Sequence, residues 1–293
     1  MSQIYYILLS MRPKQWIKNC FIFLPLLFSK KILYLNDNIN ALIAFAVFCM
    51  FSGAVYLLND TIDCEKDKLH HKKCHRPIPS GKLSVKSAWS GIYFIILTGS
   101  LIALSISKVL LITVSVYFFM NIAYSLNLKK LVILDVICIA VGFTLRVLAG
   151  AAAISVAPSH WLLMCAFLIS LFLGFCKRRA EIITLSSKAN EHREVLEHYT
   201  VAFLDQMIVI STSATIMSYA LYTMSSETVK KFNTENLIYT VPFVIYGIFR
   251  YLYLVHKKAG GGSPTEAVLT DMPIILCVIS WAAISGMIIF QLI

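Results

Sequence analysis

Charge is scarce in this chain. Only 14% of its 293 residues are Asp, Glu, Lys or Arg, against 58% hydrophobic residues and a mean hydropathy of +0.76. That excludes a soluble globule and points to an all-α, polytopic membrane protein. Acid is scarcer than base, 15 residues against 26, and the net charge of +11 suits nucleic acid, anionic lipid or phosphorylated substrates. No secretory signal is expected, because Met1 to Leu9 has no basic stretch and Met11-Arg12-Pro13-Lys14 has no small-residue cleavage site. The eight cysteines imply no disulfide framework. Most of them (Cys20, Cys49, Cys138, Cys165, Cys176 and Cys277) sit in apolar stretches as small hydrophobes would. A zinc site is not expected either: His70, His71, Cys74 and His75 match no usual ligand spacing, and Lys72, Lys73 and Arg76 would repel the ion. Gly260-Gly261-Gly262-Ser263-Pro264 lacks the strand-then-helix setting of a phosphate-cradling loop and reads as a connector. Arg193 and Glu197 read as an i, i+4 pair supporting a short helix.

What is present is a succession of nine apolar stretches: 16–32, 39–60, 85–106, 108–126, 131–153, 159–176, 204–224, 236–256 and 271–292. Most reach the ~20 residues that a ~30 Å hydrocarbon core requires; the first and sixth are short. Loop charge then sets the orientation. The N-terminus and the loops near 63–84, 127–131, 177–203 and 257–270 carry nineteen of the 26 Lys and Arg residues. The opposite loops hold five (Lys30, Lys31, Lys108, Lys230 and Lys231), and Arg146 and Arg250 lie within spans. The positive-inside rule puts the N-terminus and every motif-bearing loop in the cytoplasm and the C-terminus outside. Basic residues scattered over membrane-proximal loops, with no binding module, argue against nucleic acid. Nine spans without an internal repeat, their polar motifs all on one side, argue against alternating access.

The densest chemistry follows the second stretch. Asn59, Asp60, Asp63 and Asp67 are spaced so that a continuous helix would gather the three aspartates within about 60° and all four residues within about 100°. Carboxylates so close repel one another unless a cation joins them. Mg2+ is suited to that, since it takes one or two carboxylates and completes its shell with phosphate oxygens. Lys72, Lys73 and Arg76 come next in the chain. Together these residues read as a magnesium–diphosphate site, where the plain alternative is a solvated helix end. Upstream, Trp16 reads as an interfacial anchor with Arg12 and Lys18 able to turn to phosphate, while Lys14, Lys30 and Lys31 read as part of the headgroup belt.

Two charges lie inside the fifth stretch. Asp135 and Arg146 are eleven residues apart, about 16 Å along a helix and about 20° in phase, and they share a face with Gly142. A charge at that depth costs at least ~2.5–3.5 kcal/mol and demands a partner. Arg146 can serve either as half of an Arg–Asp pair locking two helices or as the floor of an anion pocket, with Tyr124 and Lys129 at its mouth.

These motifs resemble the UbiA-type intramembrane prenyltransferase superfamily. Finer features are similar to its decaprenyl-phosphate phosphoribosyltransferase branch: Arg12-Pro-x-Gln15-Trp16-x-Lys18-Asn19, Tyr56-Leu-x-Asn59-Asp60, Lys73-x-x-Arg76-Pro77, Tyr124 with Lys129, Arg146-x-x-Ala149-Gly150, Lys177-Arg178-x-Ala180-Glu181 and Leu196-Glu197-x-Tyr199-Thr200. The resemblance implies a single domain over 1–293, a nine-helix bundle with a cytoplasm-facing active site in the inner membrane of a prokaryote, and Mg2+ as cofactor. It implies transfer of 5-phosphoribose from phosphoribosyl diphosphate to a polyprenyl phosphate in the bilayer, with release of diphosphate. Asn59, Asp60, Asp63 and Asp67 would then form the metal group. Lys73, Arg76, Tyr124, Lys129 and Arg146 would hold donor phosphates, and Lys177 and Arg178, with Arg12 and Lys18, the lipid phosphate. The rival reading is a conventional prenyltransferase moving an isoprenoid chain onto an aromatic acceptor. Such enzymes carry a second aspartate motif after the sixth span, where this chain has Lys177-Arg178-Arg179.

Overall fold

The computed structural model describes residues 3–69, 73–185, 194–257 and 270–292. Among them all regular structure is helical. The His70-His71-Lys72 run, Arg193 of the expected pair with Glu197, and the 260–264 glycine run lie outside the described residues.

The chain forms two compact units, one of residues 1–128 and 145–157, the other of 129–144 and 158–293. Helices α1 (Gln3–Ser10), α2 (Leu24–Phe28), α3 (Leu35–Ile62), α4 (Cys64–Lys68), α5 (Val85–Ile106) and α6 (Lys108–Leu126) belong to the first. Helix α7 (Leu134–Ala153) contributes its start to the second unit and its end to the first. The second continues with α8 (His160–Leu185), α9 (Val201–Met224), α10 (Ser226–Phe232), α11 (Val241–Lys257) and α12 (Met272–Ile289). Polar side chains start several of these helices by accepting a bond from an otherwise orphaned backbone N–H. Ser84 caps α5, Ser107 caps α6, Thr200 caps α9 and Asp271 caps α12. Ser107 also ends α5 in an extended conformation, so one residue turns the chain between two long helices.

Eight helical stretches among the described residues are long and apolar enough to cross a membrane. They match eight of the nine expected. Large apolar side chains such as Phe94, Phe119, Val209 and Phe249 point outward, as lipid-facing positions require. The first expected span, 16–32, differs: Pro13–Phe23 is a 3-10 helix and only Leu24–Phe28 is α-helical. Proline explains the break, since Pro25 has no N–H to continue a ladder and fits the first turn of α2. This segment nevertheless runs the length of α3. Arg12 at its start pairs with Asp60 near the end of α3, Asn19 reaches Ser52 midway, and Lys31 pairs with Asp37 at the beginning. Rising about 2.0 Å per residue in the 3-10 part and 1.5 Å in α2, residues 13–28 cover about 30 Å.

The sixth expected span also differs. Helix α8 does not stop at residue 176 but continues to Leu185, so Lys177, Arg178, Arg179 and Glu181 are helical residues. The acidic motif is divided likewise. Helix α3 ends at Ile62, Asp63 forms the junction, and Asp67 lies on α4.

The segment and α7 are in backbone contact. A methyl group added at Gly150 would lie 2.0 Å from the carbonyl oxygen of Ile22, whereas one at Gly286 would meet nothing within 4 Å. Gly150→Ala is therefore expected to cost about 1–3 kcal/mol through overpacking. Gly286→Ala should leave stability unchanged or raise it by up to ~1 kcal/mol through helix propensity. Thermal melts of the two purified variants beside the parent provide the check.

Candidate active site

The first unit gathers its charges where α3 ends. Asp60 is 1% exposed and Asp67 3%. Buried carboxylates are costly without paired cations, and three cations meet them. Arg12 Nη2 lies 2.5 Å from Asp60 Oδ1. Arg76 Nη1 donates both to Asp60 Oδ1 at 3.0 Å and to Asp67 Oδ2 at 2.6 Å. Lys73 Nζ is 3.6 Å from Asp67 Oδ1. All three cations keep part of their side chains open, between 30% and 42% exposed, while the carboxylates beneath them are closed off. Arg12 also lies 4.6 Å over the ring of Tyr56 and holds φ at +53°, an unusual backbone for a residue with a side chain. Asn59 and Asp63 are partly buried at the same corner.

The donor set fits a divalent cation of the kind expected. Among the described residues no group of three His, Cys, Asp or Glu side chains is placed to hold a metal ion. Asp60 and Asp67 do converge, on a single guanidinium nitrogen. That nitrogen stands where a shared cation would, and two carboxylates are what Mg2+ takes when phosphate oxygens supply the rest.

Arg146, deeper in the same unit, is 7% exposed. Its Nε donates to Asn19 Oδ1 at 2.8 Å and its Nη2 to Tyr117 Oη at 3.1 Å, and the guanidinium lies 4.9 Å over Tyr117 and 5.3 Å over Phe48. Asn19 Nδ2 in turn donates to Cys49 Sγ and Ser52 Oγ. Arg146 thereby ties α7 to the 3-10 segment that carries Arg12 and Lys18. Asn19 ends the Arg12–Asn19 motif, but nothing local marks it as the partner of a residue 127 positions away.

The second unit holds the Arg–Asp lock that the sequence raised as one option, but its arginine is Arg178. Asp135 and Arg178 are both 0% exposed. Arg178 Nε donates to Asp135 Oδ2 and Nη1 to Glu181 Oε2, each at 2.6 Å. The other oxygen of Asp135 accepts from Tyr199 Oη at 2.7 Å. Burial and that bond raise the phenol pKa well above its usual value, so Tyr199 stays protonated. Lys177, 38% exposed, lies 3.8 Å from Glu181, and Arg179 pairs with Asp205 at 2.5 Å. Arg178 is thus committed to two carboxylates inside the protein, where the sequence suggested a lipid phosphate. Lys129 is partly buried in the turn before α7, Tyr124 is partly buried in the last turn of α6, and Lys18 is partly buried in the 3-10 segment.

Comparison with known proteins places this geometry in context. The profile described as the UbiA prenyltransferase family matches residues 33–264. The decaprenyl-phosphate phosphoribosyltransferase of Corynebacterium glutamicum is 33% identical over 283 residues, covering 93% of this chain and 83% of that protein. The protein of the same name from Mycolicibacterium smegmatis is 28% identical, covering 96% and 91%. A UbiA homolog from Archaeoglobus fulgidus, solved with GPP and Mg2+, superposes with a TM-score of 0.72 at 16% identity over 97% of this chain and 99% of its own.

Removing one member of the buried lock should be far more damaging than removing a partly exposed neighbour. Asp135→Ala, which takes a buried carboxylate partner from Arg178, is expected to cost about 3–5 kcal/mol. Lys177→Ala breaks a partly exposed pair and should cost under about 1 kcal/mol. Unfolding midpoints of the two variants in the same detergent would show the difference, and equal midpoints would contradict the lock.

Proposed function

The chain belongs to the UbiA prenyltransferase family, and we propose that it is an Mg2+-dependent transferase that moves 5-phosphoribose from phosphoribosyl diphosphate onto a polyprenyl phosphate. The carrying observation is the likeness, over more than nine-tenths of the chain, to proteins named for that activity. The acidic corner supports it chemically, because a diphosphate leaving group needs both fixed cations and a metal to take up its charge.

Asp60 and Asp67, with Asn59 and Asp63 beside them, would hold Mg2+. When bound, the metal supplies Lewis-acid neutralisation of the departing diphosphate. Arg76, Arg12 and Lys73 can turn from the carboxylates to phosphate oxygens without leaving the corner, because each has an open face. Tyr124, Lys129 and Arg146 complete the donor set, Arg146 also holding Asn19 and so the segment bearing Arg12. Lys177, with Lys18, meets the lipid phosphate; Arg178 acts from beneath by fixing Glu181, the partner of Lys177. The acceptor phosphate is already an anionic nucleophile, so no general base is required. One of its oxygens attacks C1 of the ribose, the bond from C1 to the diphosphate oxygen breaks with its electron pair leaving on diphosphate, and the anomeric centre inverts.

The segment 12–31 forms a ninth membrane crossing in this reading, antiparallel to α3. The N-terminus and the acidic corner then face the cytoplasm and the C-terminus faces outward across the inner membrane, as the loop charges require. Residues 1–293 act as one catalytic domain, in keeping with a family match that runs through both units.

Purified protein should form product from phosphoribosyl diphosphate and a polyprenyl phosphate, and none from prenyl diphosphate and 4-hydroxybenzoate. EDTA should abolish turnover and Mg2+ restore it. Asp60→Asn should lower kcat/KM by at least ~10²-fold in folded, monodisperse protein. Product in the second mixture alone would overturn the assignment.

A further inference from the structure

Ile133 adopts φ = +70° in the turn between Lys129-Lys130 and α7. A β-branched residue rarely accepts the left-handed region, and holding it there costs about 1–3 kcal/mol unless the surroundings determine it. One side chain does so from 66 positions away. The backbone N–H of Ile133 donates to Tyr199 Oη at 2.7 Å, and the same hydroxyl donates to Asp135 Oδ1 at 2.7 Å. Tyr199 is itself buried, 5% exposed, with its ring 6.0 Å from that of Phe203 in a stacked arrangement. Asp135 is pinned by Arg178. The turn is further tightened by Leu134 N to Val132 O at 2.8 Å and Asp135 N to Leu131 O at 3.1 Å. One phenol oxygen thus joins the strained backbone of the turn to the buried Asp135–Arg178 pair, three residues beyond the pair of lysines that the turn presents.

We propose that Tyr199 is a positioning residue, whose hydroxyl holds the 128–135 turn so that Lys129 is set for the donor phosphates. The proposal rests on the donor-binding role given to Lys129 above, and it assigns Tyr199 no contact with substrate. Tyr199→Phe deletes one oxygen and keeps the ring, so the stacking on Phe203 survives. The Ile133 N–H then loses its partner and the left-handed turn its support. A glycine at 133 adopts positive φ without help, so Ile133→Gly should repair the turn in the phenylalanine background.

The experiment uses the full chain and compares the parent with Tyr199→Phe, Lys129→Ala, their double variant, and Tyr199→Phe combined with Ile133→Gly. Donor KM and kcat are measured with a polyprenyl phosphate acceptor, and hydrogen–deuterium exchange is followed in the peptide covering 128–135. Tyr199→Phe is expected to raise donor KM about tenfold with kcat within about threefold, and the double variant to be no worse than Lys129→Ala alone, since the two act on one element. Exchange should speed at least tenfold in that peptide, and the Ile133→Gly combination should recover most of the donor KM. A general stability role would instead lower the melting temperature and multiply with Lys129→Ala. That multiplication, an unchanged donor KM, or unchanged exchange in Tyr199→Phe overturns the proposal. Should Tyr199→Phe not fold, Lys129→Ala compared with the Tyr199→Phe, Ile133→Gly combination gives the same decision, because a repaired turn must restore near-parental KM. If the parent itself binds no phosphoribosyl diphosphate, the functional assignment fails, and exchange at 128–135 still decides whether Tyr199 holds the turn.

Discussion

A carboxylate cannot be buried at the end of a membrane helix without a cation, and the arrangement of the first unit follows from that constraint. Asp60 and Asp67 are almost wholly covered. Arg76 serves both through one nitrogen, which obliges the chain after α4 to fold back over the end of α3. Arg12 serves Asp60 from the other direction and anchors the N-terminal segment at the same corner. Such pairs add little net stability, because desolvation offsets most of the Coulombic gain. Their value is positional: they hold three cations and two carboxylates together, with the cations on the outer side. In the function proposed, a ligand bringing both a metal and phosphates would exchange partners with the members of this set.

The N-terminal segment shows how the same constraint organises structure along the length of a helix. Arg12, Asn19 and Lys31 bind α3 near its end, middle and start. Arg146 seals the middle contact from α7, and Gly150 lets the two backbones approach. With few charges in the interior, a buried charge there needs partners within the protein, since lipid offers none. Arg146 meets an amide, a phenol and two aromatic faces, and Asp135 pairs with Arg178.

In the second unit the matching is between carboxylates and arginines on α7 and α8, and its consequence is local order. Asp135 takes a bond from Arg178 and another from Tyr199, and Tyr199 reaches the strained turn at Ile133. A close contact of the two helices, with Val136 filling the space beside Gly174, keeps the pair from drifting. Lys177 and Glu181 sit above this frame, half in view of solvent. The unit therefore has a rigid, charged base beneath residues that remain accessible.

Seven of the apolar stretches could be read from the sequence to within a few residues, and an eighth, that of α8, in all but its end, because hydropathy and length are local properties and a bilayer demands both. The acidic motif and the cations that follow it were legible as neighbours in the chain, and the fold brings Asp60 and Asp67 together on Arg76. Arg146 was legible as a residue needing a partner, though which partner was not. Tertiary structure decided the rest. The 3-10 course of residues 13–23 reflects contacts with α3 and α7 that no periodicity records. Helix α8 passes through Lys177, Arg178 and Arg179 because Asp135, Glu181 and Asp205 absorb charges that otherwise mark a helix leaving the membrane. Arg178 could not be told from a surface cation by its neighbours in sequence, since its deciding partner lies 43 residues away. Composition and span are sums over local residues and so are written in the chain. The pairing of buried charges depends on which elements meet, and only the folded protein settles that.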